Sequence, residues 1–360
     1  MKHQQEYRDP DISKKLIKRI NDLSKKPVRL MEVCGTHTMS IFRNGIRSVL
    51  PDNITLLSGP GCPVCVTSQR DIDAFIELSK EDNAIIATFG DLMRVPGSHS
   101  SLQKEHALGR DIRMVYSPAD AVKLAEDNPD KKIIFPGVGF ETTIPTVAMS
   151  IIMASGKNLD NFYVYSAHKL VPPALEALMV HKNASLDGFL LPGHVSVITG
   201  TEAYSPFFNK YHLPCVVTGF EPADILKGIL RLVEQIEAGT PGLDNEYKRA
   251  VTPGGNKKAM EVMYEVFEVS DSQWRGLGII KDSGLEIEEK YKGYDAARAF
   301  DINVPENADT RGCKCGEILT GLKIPPECPL YKKVCTPVDP VGPCMVSTEG
   351  TCAAYYRYYK

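Results

Sequence analysis

The sequence predicts an α/β fold of two similar lobes, each a parallel sheet of βαβ units, with a smaller C-terminal domain of short helices and loops. Two observations carry this. Short apolar runs end in polar, glycine-bearing loops and are followed by helical apolar spacing, and the pattern recurs every ~25–30 residues, the length of a βαβ unit. Toward the end the pattern stops: from Arg311 onward Pro325, Pro326, Pro329, Pro337, Pro340 and Pro343 forbid long regular elements.

In chain order, Asp11 to Ser24 sets Ile12, Leu16, Ile20 and Leu23 at near-helical spacing, with Asp11 and Ser13 as candidate caps. Val28 to Val33 reads as a buried strand ending on Cys34-Gly35-Thr36-His37-Thr38, where a helical pattern (Met39, Phe42, Ile46, Val49) begins. Ile54 to Leu57 is a strand, followed by the loop Gly59-Pro60-Gly61-Cys62-Pro63-Val64-Cys65 and a helix through Phe75, Ile76 and Leu78. Ala84 to Thr88 ends in Phe89-Gly90-Asp91, and Ile112 to Tyr116 runs through the cap pair Ser117-Pro118 into a helix.

A second series follows. Lys132 to Phe135 ends in Gly137-Val138-Gly139-Phe140-Glu141-Thr142-Thr143, Tyr163 to Ser166 in Ala167-His168-Lys169, Gly188 to Leu191 in Pro192-Gly193-His194, and Cys215 to Val217 in Gly219-Phe220-Glu221-Pro222. Gly-Phe-Glu follows a strand at both 139–141 and 219–221, which suggests a duplicated α/β unit. Asn256 to Phe267 looks helical, Trp274 to Ile280 extended and Tyr294 to Phe300 helical. The expected divisions are an N-terminal arm and helix (1–26), a first lobe (27–125), a second lobe (126–245) and a C-terminal domain (246–360). Ligands collect beyond the carboxyl ends of strands in such sheets, which puts Cys34, Cys62, Asp91, Glu141, His168 and His194 on equivalent rims.

The formal net charge is −3, with Lys and Arg spread along the chain, so there is no basic stripe and nucleic acid is a poor partner. Apolar stretches such as Ala84 to Phe89 are too short for a bilayer, and the polar N-terminus lacks a signal-peptide core. A cytoplasmic protein with no membrane partner is expected. Cytosolic chains rarely use cysteines as disulfide staples, so the ten here need another role. Six of them, Cys313, Cys315, Cys328, Cys335, Cys344 and Cys352, crowd the last 48 residues.

Cys62-Pro63-Val64-Cys65 has the spacing of a redox dithiol, and a cysteine opening a helix has its thiolate favoured by the free amides there. A zinc knuckle or two packed thiols would be the plainer explanation, but zinc takes four ligands and no second CxxC exists. Cys34 and His37 stand three apart at a strand-to-helix turn, where the imidazole could activate the thiol or donate to something bound at sulfur. Cys34, Cys62 and Cys65 on neighbouring strand ends would together suit a soft metal such as iron or copper. The six C-terminal sulfurs on proline-rich loops suit an iron–sulfur cluster, which takes four thiolates and tolerates irregular spacing; structural zinc is the competing reading. Gly137-Val138-Gly139 begins a dinucleotide fingerprint but Thr142 holds the third glycine position, so the motif fails.

These strings resemble the HypD family, which helps assemble the Fe(CN)2CO unit of [NiFe]-hydrogenases. The likeness covers nearly the whole chain and rests on Cys34-Gly-Thr-His-Thr38, Gly59 to Cys65, Phe89-Gly-Asp91, Gly139-Phe-Glu-Thr-Thr143, Gly193-His-Val195 and the run from Cys315-Gly-Glu to Cys352. The family's usual Ser-Ser-Glu-Gly-Ala-Cys stands here as Ser347-Thr-Glu-Gly-Thr-Cys352, a conservative departure. The resemblance implies a [4Fe–4S] protein that pairs with the small chaperone HypC and receives cyanide through HypE with HypF. The hydrogenase large-subunit precursor would be the indirect recipient. Iron carrying CN and CO would sit transiently between Cys34 and a HypC cysteine, with His37 reaching a cyanide nitrogen, Glu141 among the site residues, and Cys62 and Cys65 redox-active or bound to iron. For the cluster the family pattern points to Cys315, Cys328, Cys335 and Cys352, leaving out Cys313 and Cys344. An assembly scaffold with redox activity is expected rather than a stand-alone turnover enzyme; a free-standing, cluster-dependent thiol–disulfide oxidoreductase and a zinc-stabilised interaction protein are the alternatives.

Overall fold

The computed structural model describes residues 6–180, 185–304 and 312–359. Residues 1–5 of the expected arm, and Arg311 at the expected start of the loop-rich run, lie outside them. Strands in chain order are β1 (Val28–Glu32), β2 (Ile54–Ser58), β3 (Ala84–Thr88), β4 (Ile112–Met114), β5 (Lys132–Gly137), β6 (Phe162–Ser166), β7 (Gly188–Pro192), β8 (Cys215–Thr218), β9 (Leu243–Asn245), β10 (Phe267–Trp274) and β11 (Gly278–Ile287). The first nine make two parallel sheets, as the periodicity predicts. One has five strands in the order β2-β1-β7-β8-β9, the other four in the order β4-β3-β5-β6. Strands such as β3 and β7 are buried at every position, because helices cover both faces of a parallel sheet.

The lobes are not consecutive in the chain. β1 and β2 open the five-stranded sheet, the chain leaves to build the whole four-stranded sheet, and it returns with β7 beside β1 through Met31↔Phe189. The division expected at 125/126 therefore falls inside a sheet, since β3 pairs with both β4 and β5. A strand–loop–helix repeat looks the same whichever sheet its strand joins, so spacing alone could not find the crossing.

Helix Pro10–Leu23 starts ahead of both candidate caps, Asp11 and Ser13. Asp9 is the N-cap, accepting from the amides of Asp11 and Ile12, with Pro10 at the first helical position. Its buried Leu16 and Ile20 pack with Ile229 and Val233 of helix Pro222–Ala238 in one apolar cluster. β10 and β11 form an antiparallel hairpin, longer than the extended segment predicted around Trp274. Its tip reaches back to the Cys62–Cys65 loop, where Arg275 N donates to Val66 O at 2.8 Å.

The C-terminal helices Cys315–Leu319, Pro343–Val346 and Thr351–Tyr358 share a small cluster of Ile318, Tyr331, Met345, Ala354 and Tyr355 with Phe42, and are also tied to the main core. Cys315 and Cys344 share one buried cluster with Met31, Phe189 and Trp274. Tyr355 meets Phe42 edge-on at 4.6 Å between ring centroids, which docks the last helix on the one that follows Cys34. Among the described residues no helix is long and apolar enough to cross a membrane.

Candidate functional site

The carboxyl ends of both sheets open on one cleft of about 510 Å³. Cys34 reaches it from the end of β1, Asp91 from β3, Phe140 and Thr142 from β5, His194 from β7, and Glu349 from the C-terminal segment. Cys34 is the sulfur that lines this cleft; Cys62 and Cys65 do not.

Cys34 is the N-cap of helix Gly35–Arg43. Burial pushes its thiol up to about 12; the amides of His37 and Thr36 pull the other way, and the charges of Glu349 and Glu32 add to the rise. The resting group is therefore a thiol, and a metal binding there must displace a proton. Beneath it, Glu32 accepts from Cys34 N at 3.1 Å and from the Thr38 hydroxyl, and burial lifts this carboxyl to about 7 against those hydrogen bonds. Two loops meet at the thiol: Gly35 N donates to Gly61 O at 2.8 Å, and a Cβ on Gly61 would lie 2.1 Å from Cys34 N. Only glycine permits that approach.

The other polar residues expected at strand ends divide. Asp91 and His194 line the cleft, and His194 stacks on Phe220 at 3.9 Å. The His37 imidazole does not join them. Its Nε2 lies 3.2 and 3.0 Å from Thr218 O and Gly219 O; both are acceptors, so Nε2 carries the hydrogen. Burial lowers this ring to about 4, keeping it neutral, and what His37 offers Cys34 is its backbone amide. Glu141 and His168 are buried behind the cleft wall. Glu141 Oε1 accepts from Val171 N at 2.9 Å, its Oε2 has no partner, and burial raises it to about 7. His168 Nδ1 meets Ser166 Oγ at 3.0 Å, and burial lowers the ring to about 3. Glu349 was hidden from sequence reasoning inside a cysteine run. It accepts from Thr36 Oγ1 at 2.6 Å and hangs over the helix start beside Cys34.

Five further sulfurs form a row. Cys62 caps the short helix Pro63–Val66, with its Sγ 3.4 Å from Cys65 N and 3.3 Å from Ser347 Oγ. Cys65 is in hydrogen-bonding contact with both Cys62 and Cys344. Cys344 Sγ lies 2.8 Å from Cys315 Sγ, and Cys315 touches Cys313. The expected three-thiol wall of Cys34, Cys62 and Cys65 is thus divided, because the CxxC pair faces the C-terminal sulfurs instead. Cys344, left out of the expected cluster set, is engaged with Cys315, which was in it. Burial is the largest influence on Cys352, followed by the charges of Cys313, Cys335 and Cys328, and its own charge bears on Cys315 and Cys344 as well.

All six C-terminal cysteines line one small cavity with Ile318, Leu330 and Met345. Among the described residues no three His, Cys, Asp or Glu side chains stand close enough to ligate a single ion. A cubane puts each thiolate on a different iron, so its ligands surround a volume rather than converge on a point. A cavity walled by sulfur and aliphatic carbon has that character, and the donor set fits a thiolate-held cluster.

Parallel sheets meeting at a cleft, with a thiol in the cleft and a row of sulfurs behind it, define an α/β protein whose candidate site is rich in cysteine. The profile of the HypD, hydrogenase formation hypA, family matches residues 11–359. The chain is 42% identical over 366 residues to the hydrogenase maturation factor HypD of Escherichia coli, covering 99% of this chain and 98% of that protein. It is 44% identical over 367 residues to HypD of Azotobacter vinelandii, covering 99% and 97%. The chain belongs to the HypD family of hydrogenase maturation factors.

Proposed function

We propose that this protein is the scaffold on which the Fe(CN)2CO unit of [NiFe]-hydrogenase is assembled, with Cys34 as its thiolate ligand to that iron. The observation that supports this is Cys34 itself: a thiol at a helix start, lining a cleft of about 510 Å³ with Asp91, His194 and Glu349 around it. The iron is cargo. Its arrival takes the proton from a thiol whose burial holds it near 12, and the amides of Thr36 and His37 are placed to receive the thiolate charge that results. A cleft open to solvent leaves room for a second thiolate from a small HypC-like partner. Cyanide would be delivered by HypE with HypF, and the finished unit passed on to the large-subunit precursor.

The C-terminal cavity would hold a [4Fe–4S] cluster through Cys313, Cys328, Cys335 and Cys352, with Cys313 replacing the expected Cys315 because Cys315 is paired with Cys344. When bound, such a cluster supplies one-electron redox chemistry. The protein's own sulfurs can carry two electrons. A Cys344 thiolate attacking Cys65 of a Cys62–Cys65 disulfide releases Cys62, and Cys315 then closes on Cys344. One disulfide is reduced to two thiols while another forms, so protons and electrons balance.

The test is Cys34→Ser in the complex with HypC purified without oxygen. The variant is expected to lose the CN and CO infrared bands while keeping the visible absorption of the cluster. Ligated iron persisting in the variant would refute the assignment.

A further inference from the structure

The cavity shared by the six C-terminal cysteines has one polar group in its wall that is not a sulfur. Besides the thiols and the aliphatic side chains of Ile318, Leu330 and Met345, it is lined by Gly342 and Tyr331. Among the described residues the Tyr331 phenol is therefore the only lining side chain with an oxygen or a nitrogen. Tyr331 is 8% exposed, and its hydroxyl is buried with no hydrogen-bond partner among those residues. A hydroxyl taken out of water and given no acceptor bears its desolvation with nothing returned. Buried phenols ordinarily find a partner for that reason.

The chain holds this ring beside the sulfurs. Tyr331 lies in the turn between Cys328 and Cys335, its amide donating to Cys328 O at 3.0 Å and its backbone paired with Cys335 in an isolated parallel bridge. The Tyr356 ring of helix Thr351–Tyr358 meets it nearly edge-on at 6.3 Å between centroids, and Lys332 Nζ lies 5.6 Å from its centre. Sulfur at this cavity already accepts from the chain, since Val341 N donates to Cys335 Sγ at 3.4 Å. The acceptors that a sulfur-held occupant would bring to the phenol are of the same kind.

We propose that the Tyr331 hydroxyl donates a hydrogen bond to a sulfur of the metal cluster held in this cavity, a positioning residue that tunes the cluster without ligating it. The inference rests on the cluster reading above. Its acceptor is a sulfide or a cysteine thiolate, and the proton stays on the phenol. Cluster potentials follow net charge, hydrogen bonds to sulfur and solvent exposure. A hydrogen bond strengthens as its acceptor becomes more negative, so this one favours the reduced cluster and raises its midpoint potential.

Tyr331→Phe removes the one oxygen and keeps the ring. Iron and acid-labile sulfide would be counted in the full chain purified without oxygen, and the midpoint potential titrated by visible and electron paramagnetic resonance spectra. The variant is expected to hold the parent's iron and sulfide at a lower midpoint potential, by about 59 mV for each tenfold loss of preference for the reduced state. Electron–nuclear double resonance on the reduced parent in H2O and D2O should show an exchangeable proton coupled to the cluster that the variant lacks. An unchanged or higher potential in Tyr331→Phe overturns the proposal, and so does loss of cluster with no change of potential in what remains, which would mark the hydroxyl as structural. Should Tyr331→Phe not fold, the parent decides alone: a reduced cluster with no exchangeable proton coupled to it overturns the proposal. A parent holding zinc without sulfide would overturn the cluster reading itself, whereas a parent with iron and sulfide whose potential ignores Tyr331→Phe overturns this inference only.

Discussion

Glu141 offers a measurable opposition between charge and fold. Its carboxyl is 2% exposed, one oxygen accepts the Val171 amide at 2.9 Å, and the other has no partner. Burial raises it from 4.5 to about 7. A carboxyl with a raised folded pKa contributes stability that is fully present below pH 4.5 and is lost as the pH rises through 7. At about 1.36 kcal/mol per pH unit, that rise corresponds to about 3 kcal/mol lost by pH 8. Glu141→Gln keeps an oxygen for the Val171 amide and removes the titration. The variant is expected to match the parent in urea unfolding at pH 4.5 and to exceed it at pH 8 by up to about 3 kcal/mol, a large share of the ~5–15 kcal/mol typical of native proteins. A difference that stays constant between the two pH values, or that favours Glu at pH 8, would refute the reasoning. Glu32 makes a poor substitute in this experiment, because it also holds the Cys34 amide and the Thr38 hydroxyl.

Three further outcomes follow, two from packing and one from the opposite sign of titration. Gly61→Ala, whose methyl would lie 2.1 Å from Cys34 N and 2.4 Å from Cys34 Cα, is expected to lower the urea midpoint by about 1–3 kcal/mol of stability. Gly156→Ala, with nothing within 4 Å, should be neutral or stabilising by up to about 1 kcal/mol. His168, lowered from 6.5 to about 3 by burial, contributes stability that is present above pH 6.5 and lost as the pH falls toward 3. His168→Gln should therefore be less stable than the parent at pH 7, and the gap should narrow in unfolding experiments taken down to pH 4.

The strands and the loops that end them were legible because each carries its own local signal: an apolar run, then glycine or a small polar residue, then helical spacing. That sufficed to place Cys34, Asp91 and His194 on a rim. It could not say that β7 returns to pair with β1, since register is a matter of which surfaces bury each other and leaves no trace in either segment alone. Side-chain direction was equally hidden. His37, Glu141 and His168 follow strands as Cys34 and His194 do, yet their rings and carboxyl turn into the packing beneath the cleft. Arg275 sits in a plain Trp-Arg-Gly string, and nothing in its spacing marks it as a buried charge.

The same hidden return explains how the two sulfur regions become one. The Cys62–Cys65 loop leaves β2, which lies at the edge of the five-stranded sheet, and the C-terminal segment packs on the side chains of β1 and β2, Gly321 lying against Met31 and Leu57. Ser347 meets Cys62 Sγ at 3.3 Å and Cys344 contacts Cys65. Two residues beyond Ser347, Glu349 bonds the Thr36 hydroxyl across the helix start beside Cys34. The segment that carries the six C-terminal cysteines therefore touches both the Cys62–Cys65 pair and the cleft within a few residues. These contacts make the 344–349 segment part of the Cys34 site rather than of an appended domain.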